Sequence, residues 1–241
     1  MGQLVNYINS IEISSLCDNQ CQYCPAKDQG QYRPTGLMTM ETFERTLAWV
    51  KHFCKQGTQR ELNLFGVGEP TLNPHLVDMV REARRELPFD QIIHINTNGN
   101  NMTESLARAL IDAGITSIDI TGHDPYIAAR TIRILRSTGI KGQLSIDPIT
   151  QPNNWAGQVD WFAPDYSYPC QWLDRGQVMV MSDGRINTCC IDAFAKQVIG
   201  TVDDNVPDLE TEPGEVCSKC HHIVPARLYL RGDIEHANHC A

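Results

Sequence analysis

Three cysteines fall close together in the run Cys17-Asp18-Asn19-Gln20-Cys21-Gln22-Tyr23-Cys24. Their spacing is C-x3-C-x2-C, directly after the alternating stretch Ile11-Glu12-Ile13-Ser14. A loop this tight can aim three thiolates at one small inorganic object. A 4Fe–4S cube takes four ligands, so three cysteines leave one iron open for another molecule. Structural zinc takes four protein ligands, usually as two separated pairs, which this spacing does not supply. A disulfide framework needs an oxidising compartment. The first residues, Met1 to Asn6, have no basic segment leading into an apolar one, so no secretory signal is expected. Ten cysteines in such a chain point to metal ligation in a reducing cytosol.

The triplet resembles the signature of the radical S-adenosylmethionine (SAM) enzymes, C-x3-C-x-aromatic-C, with Tyr23 in the aromatic position. The resemblance implies that Cys17, Cys21 and Cys24 ligate a 4Fe–4S cluster, with the amino and carboxylate groups of SAM on the open iron. It implies reductive cleavage of SAM to a 5′-deoxyadenosyl radical that takes a hydrogen atom from the substrate. A flavodoxin- or ferredoxin-like donor would supply the electron.

Later stretches extend the resemblance. An expected second strand runs into Gly66-Val67-Gly68-Glu69-Pro70. Glycines let the backbone approach a ligand, and Glu69 puts a carboxylate at the strand end. The family has a G-G-E-P segment here that binds the amino group of SAM. This sequence keeps Gly68, Glu69 and Pro70 and has Val67 for the first glycine. Thr97 and Asn98, in Asn96-Thr97-Asn98-Gly99, correspond to a family segment facing the cofactor, although Asn-Gly is also a plain turn signal. Thr121 and Ser145, at the tips of the fourth and fifth strands, offer polar groups to ribose hydroxyls or substrate. His123 is a candidate catalytic base, since an imidazole near neutral pKa can take a proton from a substrate radical or hydroxyl. A hydrogen-bonded structural histidine is the alternative. Asp124 suits an N-cap for a helix starting near Pro125.

A second cysteine set follows a turn-rich stretch around residues 150–168. Cys170 comes first, then a hairpin pattern from Val178 to Cys190 turning at Asp183-Gly184, then Cys217-Ser218-Lys219-Cys220. Four thiolates from these places could enclose zinc or a second 4Fe–4S cluster, and spacing does not choose between them. The resemblance implies the cluster. Some radical SAM enzymes carry a C-terminal auxiliary-cluster unit, called SPASM when long and Twitch when short, built on a cysteine, a hairpin ending G-x4-C, and a late C-x2-C. Gly184 to Cys189 has that spacing, which assigns Cys170, Cys189, Cys217 and Cys220 and leaves Cys190 spare. The short tail favours one auxiliary cluster, the Twitch form. His221, His222, His236, His239 and Cys240 follow a completed set and are expected to be solvated or capping.

The elements that must position these groups are read from periodicity. Strands are expected at 8–14, 61–65, 91–96, 117–121 and 143–147. Phe43, Leu47, Val50 and Cys54 make one helical stripe, with Cys54 as a small hydrophobe; Leu76, Val80, Ala83 and Leu87 make another. Glu104 to Ala113 and Tyr126 to Thr138 read as helices closed by Gly114 and Gly139. Repeated β-α units imply a parallel sheet, and five or six suggest an incomplete TIM-like barrel with its site at the C-terminal strand ends. The expected fold is thus α/β. A partial TIM-like (β/α)5-6 barrel over residues 1–160 precedes a small C-terminal β-hairpin auxiliary-cluster domain over 161–241.

Net charge is −9, from 20 basic and 29 acidic residues, which argues against a nucleic-acid partner. The basic cluster Arg81, Arg84 and Arg85 is interleaved with Glu82 and Glu86, as on a solvated helix face. No apolar run approaches the roughly 18 residues of a membrane span. The expectation is a soluble, cytoplasmic radical SAM oxidoreductase. An acidic chain leans towards a cationic substrate, such as an amino sugar or a basic peptide. Peptide-modifying relatives, which epimerise or cross-link residues, often carry a further recognition domain for which this chain has no room, so a small molecule is preferred. A different class is a non-catalytic iron–sulfur or zinc protein that carries electrons or joins partners. A barrel with the Glu69 segment at its mouth is more apparatus than that requires.

Overall fold

The computed structural model describes residues 2–21, 23–140, 144–145, 155, 158 and 170–220. After a short strand β1 (Gln3–Leu4), strands and helices alternate: β2 (Tyr7–Ile11), α1 (Met40–Gln56), β3 (Glu61–Asn63), α2 (Leu76–Glu86) and β4 (Ile92–Thr97). The alternation continues with α3 (Glu104–Ala113), β5 (Ser117–Thr121), α4 (Pro125–Thr138) and β6 (Leu144–Ser145). The C-terminal part adds α5 (Gln171–Asp174), β7 (Gln177–Val180), β8 (Arg185–Asn187), β9 (Val198–Thr201) and β10 (Glu210–Thr211). Strands β2 to β6 pair in parallel, as β-α units require. The fold is the expected α/β partial barrel.

Helix ends follow local chemistry. Thr103 caps α3 by accepting from the Leu106 amide, and Gly114, in the left-handed region at φ 97°, closes it. Asp124 caps α4, its Oδ1 accepting from the amides of Tyr126 (2.7 Å) and Ile127 (3.1 Å). The N-cap reading of Asp124 is therefore the one the geometry bears out.

Alternation divides the sheet into two unlike faces. Leu62, Ile93, Ile95, Ile118 and Ile120 are buried in one core with Phe43, Phe53, Val80, Ala83 and Leu110 from the helices. The opposite face carries Asn63, His94, Asn96, Ser117, Asp119 and Thr121, all half-buried. Closed TIM barrels fill that side with branched apolar residues. Here it is polar.

Two expectations about strands are corrected. The first strand stops at Ile11, because the chain beyond it pairs with the segment returning from the cysteine loop: the Met38 amide donates to Ile13 O (2.9 Å), and Ser14 bridges Leu37. The C-terminal hairpin also does not build a sheet of its own. β7 lies parallel on the free edge of β2, from Tyr7↔Gln177 to Ile11↔Val180, and β8 and β9 extend the same eight-stranded sheet antiparallel. The expected boundary between 160 and 161 lies outside the described residues, as do His221, His222, His236, His239 and Cys240.

The junction is held by an ion pair the sequence reading did not anticipate. Glu12, just past β2, and Arg33 have fully buried side chains and bond bidentately, Nη1 to Oε2 and Nη2 to Oε1, each at 2.8 Å. Glu12 also accepts from the amides of Val67 (3.2 Å) and Ser182 (3.4 Å), and Arg33 Nε donates to Ala193 O (2.7 Å). Arg33→Met would strand a buried carboxylate, and urea unfolding of anaerobically purified protein should show a loss of about 3–5 kcal/mol. Breaking the exposed Arg81–Asp78 pair by Arg81→Ala should leave the midpoint unchanged.

Candidate functional site

The cysteine loop leaves the C-terminal end of β2 and is pinned at its root. Ser15 exchanges bonds with Gly36, N to O at 3.0 Å and Gly36 N to Oγ at 2.7 Å. The Glu69 amide donates to Leu16 O (2.7 Å), bringing the loop after β3 against that root. A Cβ on Gly68 would lie 2.3 Å from Ser14 O and 2.6 Å from Leu16 O. Gly68 is thus required by backbone against backbone.

The spacer between the first two cysteines is tied to the turn after β4. Asp18 accepts from Asn98 Nδ2 (2.7 Å) and Asn101 Nδ2 (3.1 Å), and Asn19 Oδ1 accepts from Asn100 Nδ2 (2.9 Å). The sequence reading missed both residues; their only signal was two amide-bonding side chains inside a three-residue spacer. Cys17, Cys21 and Cys24 are half-buried. Burial pushes the Cys24 thiol up to about 11 and the Cys17 thiol upward, so metal binding there must displace protons.

Glu69 is 3% exposed and braces the site. Its Oε1 accepts from Thr71 N (3.0 Å), Thr71 Oγ1 (2.6 Å) and Thr97 Oγ1 (2.6 Å), and its Oε2 from Asn98 N (2.8 Å). Burial raises its pKa against the pull of these donors. Thr97 is buried and also accepts from Gly99 N (3.1 Å). Within the chain, then, Gly68, Glu69, Thr97 and Asn98 hold the loop after β3, the end of β4 and the cysteine loop in one arrangement.

His123, after β5, meets the cysteine loop. Its Nδ1 lies 2.5 Å from Tyr23 Oη and 3.8 Å from Cys21 Sγ. Burial lowers the His123 pKa and raises that of Tyr23, whose hydroxyl bond to Cys21 adds to the rise. A protonated phenol can donate to the Cys21 sulfur while accepting from Nδ1–H, which leaves the Nε2 lone pair of His123 for another proton. Thr121 Oγ1 is spent on Asn96 Oδ1 (2.9 Å), and Ser145 pairs with Thr121 at the sheet edge. Trp155 Nε1 donates to Tyr23 O (3.1 Å).

The second cysteine set converges as well. Cys170, Cys189, Cys217 and Cys220 line one cavity, with Trp172, Leu173, Thr188, Ile191 and Val216 as the remaining described wall. Cys189 is set at the end of β8 by Asn187, whose Nδ2 donates to Cys189 O (3.2 Å) and Asp192 O (2.9 Å). The neighbouring Cys190 is exposed and does not line this cavity. Among the described residues no three His, Cys, Asp or Glu side chains close on a point as around a bare ion. The four thiols instead wall a space, and a cubane, with four iron corners to ligate, suits such a donor set.

The pattern of the Radical SAM superfamily matches residues 11–146, more than half of the chain. The chain belongs to the radical SAM superfamily. A 4Fe–4S cluster and SAM are the cofactors this membership brings. GTP 3',8-cyclase of Rhizobium meliloti (strain 1021) is 27% identical over 122 residues, 50% of this chain and 33% of the relative. Molybdenum cofactor biosynthesis protein 1 of Homo sapiens is 31% identical over 138 residues, 57% of this chain and 20% of the relative. The matches thus span about a third or less of these curated relatives. Among solved structures, BtrN in complex with AdoMet and 2-DOIA superposes with a TM-score of 0.66 at 20% identity, covering 86% of this chain and 81% of that one. BtrN in an open conformation gives 0.62 at 17% identity, covering 95% and 99%. At these identities the likeness shows the fold.

The close approach at Gly68 makes a direct prediction. Gly68→Ala forces the root of the cysteine loop to move, so anaerobically reconstituted protein should lose about four irons per chain, one cubane's worth. Gly36→Ala, where an added Cβ meets nothing within 4 Å, should keep the full iron content.

Proposed function

We propose that this chain is an oxidoreductase that removes two hydrogens from a small polar molecule, with Cys17, Cys21 and Cys24 ligating the SAM-binding cluster. Cys170, Cys189, Cys217 and Cys220 would ligate a second 4Fe–4S cluster. The observation that carries this reading is the single cavity walled by those four late cysteines. When bound, the first cluster with SAM supplies a radical able to take a hydrogen atom, and the second supplies a one-electron acceptor. Nε2 of His123 takes the proton that a substrate radical loses as it is oxidised. Glu69, Thr97, Asn98 and Asp18 keep the cysteine loop at the end of β4, where the polar face of the sheet begins. That face, with Asn63, Asn96 and the His94–Asp119 contact (3.7 Å), offers hydrogen-bonding partners to hydroxyl and amino groups. The match to a BtrN structure bound to AdoMet and 2-DOIA runs over 86% of this chain, more than the barrel alone, and is consistent with this reading.

The sequence matches to GTP 3',8-cyclases favour a second reading, cyclisation of a purine nucleotide. Against it stand the net charge of −9 and the use of Arg33 inside the fold, since a triphosphate needs unpaired cations.

Reduced enzyme incubated with SAM and polyhydroxylated amines in deuterated buffer should give a product lighter by two hydrogens and free of solvent deuterium. Deuterium in the product would indicate epimerisation, and turnover of GTP the second reading. Cys24→Ala should abolish SAM cleavage. Cys217→Ala should keep some cleavage but lose product formation, and normal turnover by that variant would remove the electron-acceptor role.

A further inference from the structure

We infer that the hydroxyl of Thr188 donates a hydrogen bond to a sulfur of the auxiliary cluster and holds its reduction potential up. The inference rests on the auxiliary-cluster reading above.

Thr188 ends the β8 turn, directly before Cys189, and is 2% exposed. Its amide donates to Gln197 O (3.3 Å). Its Oγ1 is buried and has no hydrogen-bond partner among the described residues. Buried hydroxyls almost always find a partner, because one left unpaired loses its hydration with nothing in return. Valine would cover the same surface without that cost. Thr188 lines the cavity walled by Cys170, Cys189, Cys217 and Cys220, whose other walls are the side chains of Trp172, Leu173, Ile191 and Val216. Apart from the thiols, these side chains offer the hydroxyl no acceptor, so its partner belongs to what fills the space. Cluster sulfides and ligating thiolates are acceptors, and a threonine hydroxyl is a donor. The nearby orphans, Asn187 Oδ1 and Gln177 Oε1, are carbonyl oxygens and cannot take this role. Hydrogen bonds to cluster sulfurs set the potential, because they stabilise the extra negative charge of the reduced state. The competing partner is a water in the smaller adjoining cavity, bordered by Asn9, Gln177 and Cys190, which Thr188 also lines.

The test compares parent protein with Thr188→Val and Thr188→Ser, reconstituted anaerobically with iron and sulfide and titrated with dithionite under electron paramagnetic resonance. The parent should hold about eight irons per chain. The auxiliary signal should titrate at a more negative potential in Thr188→Val and at the parental potential in Thr188→Ser. The SAM-responsive signal should not move in either. If the valine variant fails to take up the cluster, Thr188→Ala, which removes the hydroxyl and relieves crowding, should show the same negative shift. An unmoved potential at a full iron count overturns the hydrogen bond alone and leaves the cluster standing. A parental count near four irons overturns the auxiliary cluster, and this inference with it.

Discussion

The bidentate pair between Glu12 and Arg33 is the constraint on which the arrangement of both cysteine sets depends. Glu12 is where the chain leaves the sheet to begin the cysteine loop, and Arg33 is where it comes back. Clamping the two together closes the loop on itself. The same two side chains reach Val67 in the loop after β3, Ser182 at the hairpin turn and Ala193 shortly after Cys189. A buried ion pair is costly to desolvate and offers little over a well-packed apolar substitute. What it does here is fix direction: three backbone groups from three segments must meet it at hydrogen-bonding distance.

Glu69 plays the matching part on the other side of the loop. Its four donors come from its own turn and from the end of β4, and Asn98 carries the connection on to Asp18. The cysteine loop is therefore held at root and tip by two buried carboxylates, neither of which the cysteine spacing reveals. The third brace is apolar. Trp155 packs against the buried cluster of Val67, Ala193 and Phe194, which Cys24 also borders, and against that of Ile191, Val216 and Cys220, which Cys189 and Cys217 also border.

What was legible in the sequence was local. The cysteine triplet, the caps at Asp124 and Gly114 and the hairpin turn at Asp183-Gly184 each depend on neighbours within a few residues. What was not legible depends on partners far along the chain. Gly68 reads as a ligand-approach glycine until the backbone of Ser14 to Leu16 is seen beneath it. The hairpin reads as a separate domain because nothing local states that β2 has a free edge for β7. The central pair had no local signal: in the alternating run Ile11-Glu12-Ile13 a charge between two isoleucines reads as the polar face of a strand. That Cys189 lines the four-thiol cavity while the adjacent Cys190 is exposed and does not is likewise a matter of how the chain turns after β8, which two neighbouring cysteines do not reveal.

The central claim is an incompletely ligated iron at the N-terminal triplet, beside a second, fully ligated cluster. Low-temperature electron paramagnetic resonance of air-free, dithionite-reduced protein, recorded before and after adding SAM, tests it most directly. The expected result is two cubane signals, of which one changes on adding SAM and disappears in Cys21→Ala. A spectrum in which no cubane signal responds to SAM would contradict it.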